Sequence, residues 1–166
     1  MKRRSKKWCG QLAVLILCGI FCCGCSAETI PPEPEWILQK TECSVTLAGV
    51  EVRGTCSHTL EGLSSFAVEF PEEMAGMKVQ YRQGQYTVQM EGLTDTRTGG
   101  MMEESVFGRL FAALDSAAQA ELTWQNGRWA GALLQGDMLT AESDDAGNPL
   151  SLTVPVWQLA VRFAQP

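Results

Sequence analysis

Two alternating stretches joined by a two-residue turn constrain the fold of this 166-residue chain more than any other feature. Met77–Arg82 and Gln85–Met90 flank Gln83-Gly84, and this turn gives the hairpin one apolar face and one polar face. The apolar pairs are Tyr81 with Tyr86, Val79 with Val88 and Met77 with Met90. Because successive side chains of a strand point to opposite faces, the pattern predicts half-buried antiparallel strands.

A second hairpin and several further stretches have the same period of two. Asn126-Gly127 is the strongest short hairpin signal in the chain, and it predicts that Trp124 lies directly across from Trp129. Further predicted strands are Thr41–Ala48, Glu51–His58, Ser65–Phe70, Asp137–Ser143, Leu150–Val154 and Val156–Phe163. We therefore expect an antiparallel meander of about nine strands, with Thr94–Gly100 as a loop.

One segment breaks the strand pattern and predicts a long helix over Met101–Gln119. Its apolar residues recur at helical spacing and cover about half of the helix surface; they are Val106, Phe107, Leu110, Phe111, Leu114 and Ala118. Gly108 is a weak point of this helix, because glycine costs about 1 kcal/mol relative to alanine there. The fold class is therefore mainly β with one long helix (α+β).

Two cysteines are placed so that a disulfide is favoured. If Thr41–Ala48 and Glu51–His58 turn at Gly49-Val50, as a type II′ turn allows, Cys43 lies opposite Cys56. A non-hydrogen-bonded pair brings the α-carbons to about 4.5 Å, which a disulfide can span. The alternative is two buried free thiols, and two cysteines are too few for a zinc site.

The first 27 residues have the composition of an export signal. Five positive charges lie within Met1–Lys7, and Trp8–Ala27 contains no charged residue. This order of a basic region followed by an apolar run is typical of a secretory signal.

The end of the apolar run resembles the signal of bacterial lipoproteins, in which a small residue precedes the cysteine that is lipidated. Gly24 is that small residue and Cys25 the matching cysteine. The alternative is an uncleaved spanning helix, for which about 20 apolar residues suffice. Both interpretations place the protein outside the cytoplasm, attached to a bacterial membrane. The resemblance implies a signal peptide at 1–24, a lipidated cysteine with a proline-rich tether at 25–35, and a folded domain at 36–166.

The charge of the remaining chain excludes one class of partner. Without the five leader charges, the formal net charge changes from −6 to −11. A chain with so few cations gives no electrostatic support for binding nucleic acid.

We expect the protein to be a monomer.

Three spacings in the chain resemble the LolA/LolB-like lipoprotein family. They are Phe70-Pro71-x-x-Met74-x-Gly76-Met77, Glu91-Gly92-Leu93, and Asp145-x-Gly147-x-Pro149-Leu150. The resemblance implies an incomplete antiparallel barrel, a half-barrel whose apolar concave side is covered by a helix. It also implies binding of an acyl chain or another lipid-like ligand. The long helix that usually precedes the first strand is absent from the pattern.

This resemblance and the wide apolar helix face yield a set of candidate ligand-lining residues. The set is Phe66, Val68, Phe70, Tyr81, Tyr86, Val88, Phe107, Leu110, Phe111, Leu114, Trp124 and Trp129. The helix would either plug the concavity or act as its lid, and the methionines either fill the core or line a site. The alternative function is a protein-interaction or sensor lipoprotein that docks an envelope or cell-wall protein.

No residue pattern indicates catalysis, a metal or a cofactor. His58 is the single histidine, and at the end of a strand it is typical of exposed surface. Glu142, Asp144 and Asp145 lack the order of a calcium loop and are typical of a solvated turn. We therefore expect a non-enzymatic protein.

Overall fold

The structure is a computed structural model that describes residues 29–133 and 136–165. The leader and the predicted lipidation site at Cys25 lie outside the described residues.

Eleven strands of the described residues form one antiparallel sheet. They are β1 (Leu38–Leu47), β2 (Val50–His58), β3 (Leu63–Phe70), β4 (Lys78–Arg82), β5 (Gln85–Met90), β6 (Leu93–Thr98), β7 (Thr123–Gln125), β8 (Arg128–Ala132), β9 (Met138–Ser143), β10 (Pro149–Val154) and β11 (Leu159–Phe163). Their spatial order is β6-β5-β4-β3-β2-β1-β11-β10-β9-β8-β7. The sheet thus consists of two meanders joined where β1 pairs with β11.

The helical segment connects the two edge strands of the sheet, β6 and β7. It comprises α1 (Met101–Glu104) and α2 (Val106–Ala117), while short 3₁₀ turns lie at Glu72–Met74 and Pro155–Trp157. Phe107 of α2 packs against Phe66 of β3, with ring centres 5.6 Å apart. We call the sheet face under α2 the inner face and the opposite face the outer face. The predicted fold class is confirmed, as an open sheet that is not closed into a barrel.

The predicted single helix is interrupted at Ser105. Its Oγ accepts a hydrogen bond from Gly108 N at 3.2 Å and donates one to Met102 O at 2.6 Å. Serine is a preferred residue at the start of a helix because its side chain satisfies a free backbone N–H. The same serine therefore ends α1 and starts α2.

The registers of two predicted hairpins are confirmed. Tyr81 pairs with Tyr86 on β4 and β5, and Trp124 pairs with Trp129 on β7 and β8. The loop predicted at Thr94–Gly100 is wrong, because β6 occupies most of it. All six residues of β6 are exposed, so this edge strand has no buried face that a sequence pattern could reveal.

The predicted register of the β1–β2 hairpin is wrong by two residues. The turn is Ala48-Gly49, both with positive φ (49° and 86°), as a type I′ turn requires. Cys43 therefore lies opposite Gly54, and Cys56 lies opposite Thr41. Both thiols are free and buried, so the expected disulfide is not formed. The hydrogen bond to Cys43 and, to a smaller extent, burial raise the pKa of the Cys56 thiol.

Candidate functional site

Ten of the twelve predicted ligand-lining residues belong to the core or pack against it; Phe70 and Trp124 do not. Phe66, Leu110, Phe111 and Leu114 are fully buried, with 0% of their surface exposed. Val68, Tyr86 and Phe107 are also buried, whereas Tyr81, Val88, Trp124 and Trp129 are half-buried. Side chains of α2 therefore occupy the space in which a ligand was expected.

Aromatic contacts fix α2 on the inner face. The ring of Tyr81 lies 4.8 Å from that of Tyr86 and 6.1 Å from that of Phe111. Burial, with a smaller contribution from Tyr81, raises the pKa of Tyr86 to about 12. Tyr86 is therefore neutral at every physiological pH and acts as a packing residue.

Three of the six methionines in the described part of the chain pack against the core in the same way. Met74, Met77 and Met102 are partly buried and pack against it. Met101 and Met138 are exposed instead, and they lie outside the interface between α2 and the sheet.

The structure places His58 in a buried polar cluster, so the expectation of an exposed histidine is wrong. His58 is 1% exposed, and its Nδ1 lies 2.9 Å from Ser64 Oγ and 3.8 Å from Asp115 Oδ1. The three residues come from β2, β3 and α2, so only the folded chain brings them together. Burial lowers the pKa of His58 and raises that of Asp115.

This cluster lacks the geometry of a catalytic triad. In a triad, the carboxylate and the serine contact different nitrogens of the imidazole ring. Here Ser64 and Asp115 both face Nδ1, while Nε2 of His58 is buried without a hydrogen-bond partner in the described part of the chain. Ser64 is also fully buried, so its hydroxyl is closed to a substrate. The hydrogen bond between His58 and Ser64 joins β2 to β3, and Asp115 of α2 lies beside it.

In the acidic turn after β9, the carboxylate of Asp144 is stabilised by hydrogen bonds from within the turn. Asp144 accepts hydrogen bonds from the Asn148 side chain and from the backbone N–H groups of Ala146 and Asn148. Those from Asn148 contribute most to a lowered pKa of Asp144. Within residues 29–133 and 136–165, no group of three or more His, Cys, Asp or Glu side chains could hold a metal ion.

An open cleft of about 600 Å³ lies at the strands β1, β2 and β11 and the end of β3. Ser44, which lines it, pairs with Arg53 on one side and with Arg162 on the other. Of the twelve predicted lining residues, Phe70 alone borders this cleft; it is 40% exposed, and the Arg53 guanidinium lies 4.4 Å from its ring centre. Glu42 and Glu69 complete the charged lining.

Sequence reasoning missed this cleft because its two arginines are far apart in the chain. Arg53 and Arg162 each stand on the polar face of an alternating stretch, which alone predicts solvent exposure. They come together through the pairing of β1 with β11, which joins the first and last strands. No local pattern reveals that pairing.

Comparisons with known proteins find a structural likeness but no match in sequence. No family model matches it, and no curated protein matches it significantly. Among solved structures, it is similar to a LolA superfamily protein from Nitrosomonas europaea, with 7% sequence identity and a TM-score of 0.46. The match covers 75% of this chain and 82% of that protein. A likeness at this level carries no argument about function.

None of the helices among the described residues is long and apolar enough to cross a membrane.

Proposed function

We propose that this chain is a membrane-anchored extracytoplasmic lipoprotein without enzymatic activity, which acts by binding a partner protein on its outer face. We favour a site on the surface over a site in the interior because of one observation. Phe111 and Leu114 of α2 are fully buried against the inner face, whereas the cleft at Arg53 and Arg162 is open.

The proposed anchor is a lipid on Cys25. Support comes from the basic and apolar leader that precedes Gly24-Cys25. Between the cysteine and the fold lies a short tether, whose end is held where Glu35 N donates to Gly147 O at 2.9 Å. Two acyl chains on one residue would give stable attachment. Metabolic labelling with a fatty-acid analogue tests this: Cys25→Ser should abolish the label, and a label that persists would rule out this site.

A photo-cross-linker in living cells tests the proposed partner binding. Ala164 borders the cleft and is exposed, so a benzoylphenylalanine there should yield a discrete protein adduct. Ala112, exposed on α2, is the matched control position and should not yield it. The same adduct from both positions, or none from Ala164, would contradict binding at the outer face.

A second candidate function is binding of an acyl chain in the interior. It is favoured by the apolar inner face and by Gly99 and Gly100, whose positive φ values (61° and 67°) mark the link from β6 to α1. A ligand would have to displace α2. Titration of the full chain with cis-parinaric acid should then give a saturable fluorescence signal. Leu114→Asn should abolish the signal and Ala112→Asn should not; no saturable signal would eliminate this candidate.

A further inference from the structure

A row of hydrogen-bond donors crosses three neighbouring strands in the cleft. Arg53, Ser44 and Arg162 are paired in register on β2, β1 and β11, so their side chains share one face. Neighbouring strands lie about 4.8 Å apart, which places the two arginine α-carbons about 10 Å from each other. Guanidinium groups bind carboxylates through two parallel hydrogen bonds, so this row suits an acidic side chain.

The guanidinium of Arg53 is held in place by its neighbours. The pairing of β2 with β3 shifts between Arg53 and Gly54, and such a bulge re-aims the adjacent side chain. The guanidinium then lies over the ring of Phe70. Among the described residues it has one carboxylate contact, Arg53 Nε to Glu51 Oε1 at 3.7 Å, between two side chains that are about half exposed. An exposed pair of this kind contributes about 0–1 kcal/mol, so it competes weakly with a ligand.

Arg162 is available to a ligand as well. In the described part of the chain, no carboxylate oxygen lies within 4.0 Å of it. Arg97, Arg109 and Arg128 all have such a contact.

A row of acceptors runs beside the row of donors. Glu42 lies two residues before Ser44 on β1, on the same face, at a distance of about 6.8 Å along the strand. It pairs with Thr55, whose Oγ1 donates to Glu69 Oε1 at 3.1 Å. Glu42 and Glu69 therefore present negative charge at one end of the cleft, where a cation is favoured and a polyanion is repelled.

The two rows have the spacing of an extended peptide. In such a peptide, residues i and i+2 point to the same side and lie about 6.8 Å apart. We propose that the cleft binds an extended segment of a partner protein that carries an acidic and a basic side chain two residues apart. The acidic side chain lies between Arg53 and Arg162, and the basic one lies against Glu42 and Glu69. This inference rests on the proposed function and names the chemistry of its partner.

Surface plasmon resonance with defined peptides tests this specificity. The full chain in detergent is passed over immobilised Ala-Asp-Ala-Lys-Ala, blocked at its free end, and over the uncharged peptide Ala-Asn-Ala-Gln-Ala. Arg53→Gln and Arg162→Gln should each weaken binding to the charged peptide about tenfold or more. Arg97→Gln on β6 is the matched control and should bind as the wild type does. Unchanged binding by both cleft variants, or equal binding to the two peptides, would overturn the proposal.

Two further results separate this inference from the function on which it rests. Binding to phosphatidylethanolamine vesicles in preference to the peptide, lost in the same two arginine variants, would replace the peptide by a lipid head group and overturn the inference. Failure of the peptide to bind, together with a protein adduct from Ala164 in cells, would also overturn it but leave the proposed function standing. Peptide binding without any adduct would support the cleft chemistry and count against the proposed function.

Discussion

Gly108 allows α2 to start directly against α1. A β-carbon at this position would lie 2.1 Å from Met102 O and 2.6 Å from Glu103 O, both of them backbone atoms. Backbone carbonyls cannot move aside as a flexible side chain could. Helix propensity alone predicts that alanine at this position stabilises the protein, whereas these contacts predict that it destabilises it.

We predict that Gly108→Ala lowers the free energy of unfolding by about 1–3 kcal/mol, the usual cost of overpacking. Urea denaturation of the two proteins measures this. Ala112→Gly, at an exposed position of α2, is the control and should cost about 1 kcal/mol through propensity alone. A more stable Gly108→Ala protein would show that the close approach of the two helices is absent.

The buried position of His58 makes stability depend on pH. Its pKa is lowered from 6.5 in the folded protein, so the unfolded chain binds a proton more readily. The contribution of neutral His58 to the free energy of unfolding is therefore complete above pH 6.5. It is lost as the pH falls through the pKa of His58 in the folded protein. Asp115 acts in the opposite direction, because its raised pKa makes acidification favour the folded state.

We predict that wild-type stability falls between pH 7.5 and pH 5.0 more steeply than that of His58→Gln. The wild type should lose at most about 2 kcal/mol more of its free energy of unfolding than the variant by pH 5.0, a limit set by the pKa of histidine in the unfolded chain. Urea denaturation of both proteins at the two pH values measures it. Parallel pH profiles would mean that His58 is solvated.

At the scale of elements, Ser105 joins the two helices by one side chain. It accepts from Gly108 N and donates to Met102 O. We predict that Ser105→Ala lowers the free energy of unfolding by about 1 kcal/mol, the typical cost of a lost helix cap. Ser105→Thr retains the hydroxyl, so thermal or urea denaturation should show that it keeps most of the wild-type stability. Equal losses in both variants would point to a steric cause instead of the cap.

Hairpins with a clear turn signal could be predicted from the sequence because their contacts are local. The pairing across Gln83-Gly84 and that across Asn126-Gly127 both follow from turn length and alternation. The β1–β2 register could not be fixed in the same way. A shift of two residues leaves every side chain on its own face, so alternation does not distinguish a turn at Gly49-Val50 from one at Ala48-Gly49.

The candidate cleft and the His58 cluster depend on contacts that are distant in sequence. Arg53 meets Arg162 across the β1–β11 seam, and His58 meets Asp115 through the packing of α2. Composition and periodicity describe one element at a time. They predicted the apolar face of the helix, but not whether that face encloses a space or fills it.

At the scale of the molecule, the path of the chain explains the filled interior. The two meanders meet at β1 and β11, and the helical segment crosses from edge strand β6 to edge strand β7. Phe111 and Leu114 are thereby packed against the inner face with no exposed surface. The charged cleft lies on the outer face, where we propose that a partner protein binds.

The most direct test of the filled interior compares native and denaturing mass spectra of the full chain, purified from membranes and released from detergent in the gas phase. A covalent lipid appears in both spectra, whereas a ligand held in the interior appears in the native spectrum alone. We predict that the native and denaturing masses are equal, both before and after incubation with fatty acid or phospholipid. An additional native mass that matches a lipid, and that disappears in Leu114→Asn, would contradict the filled interior.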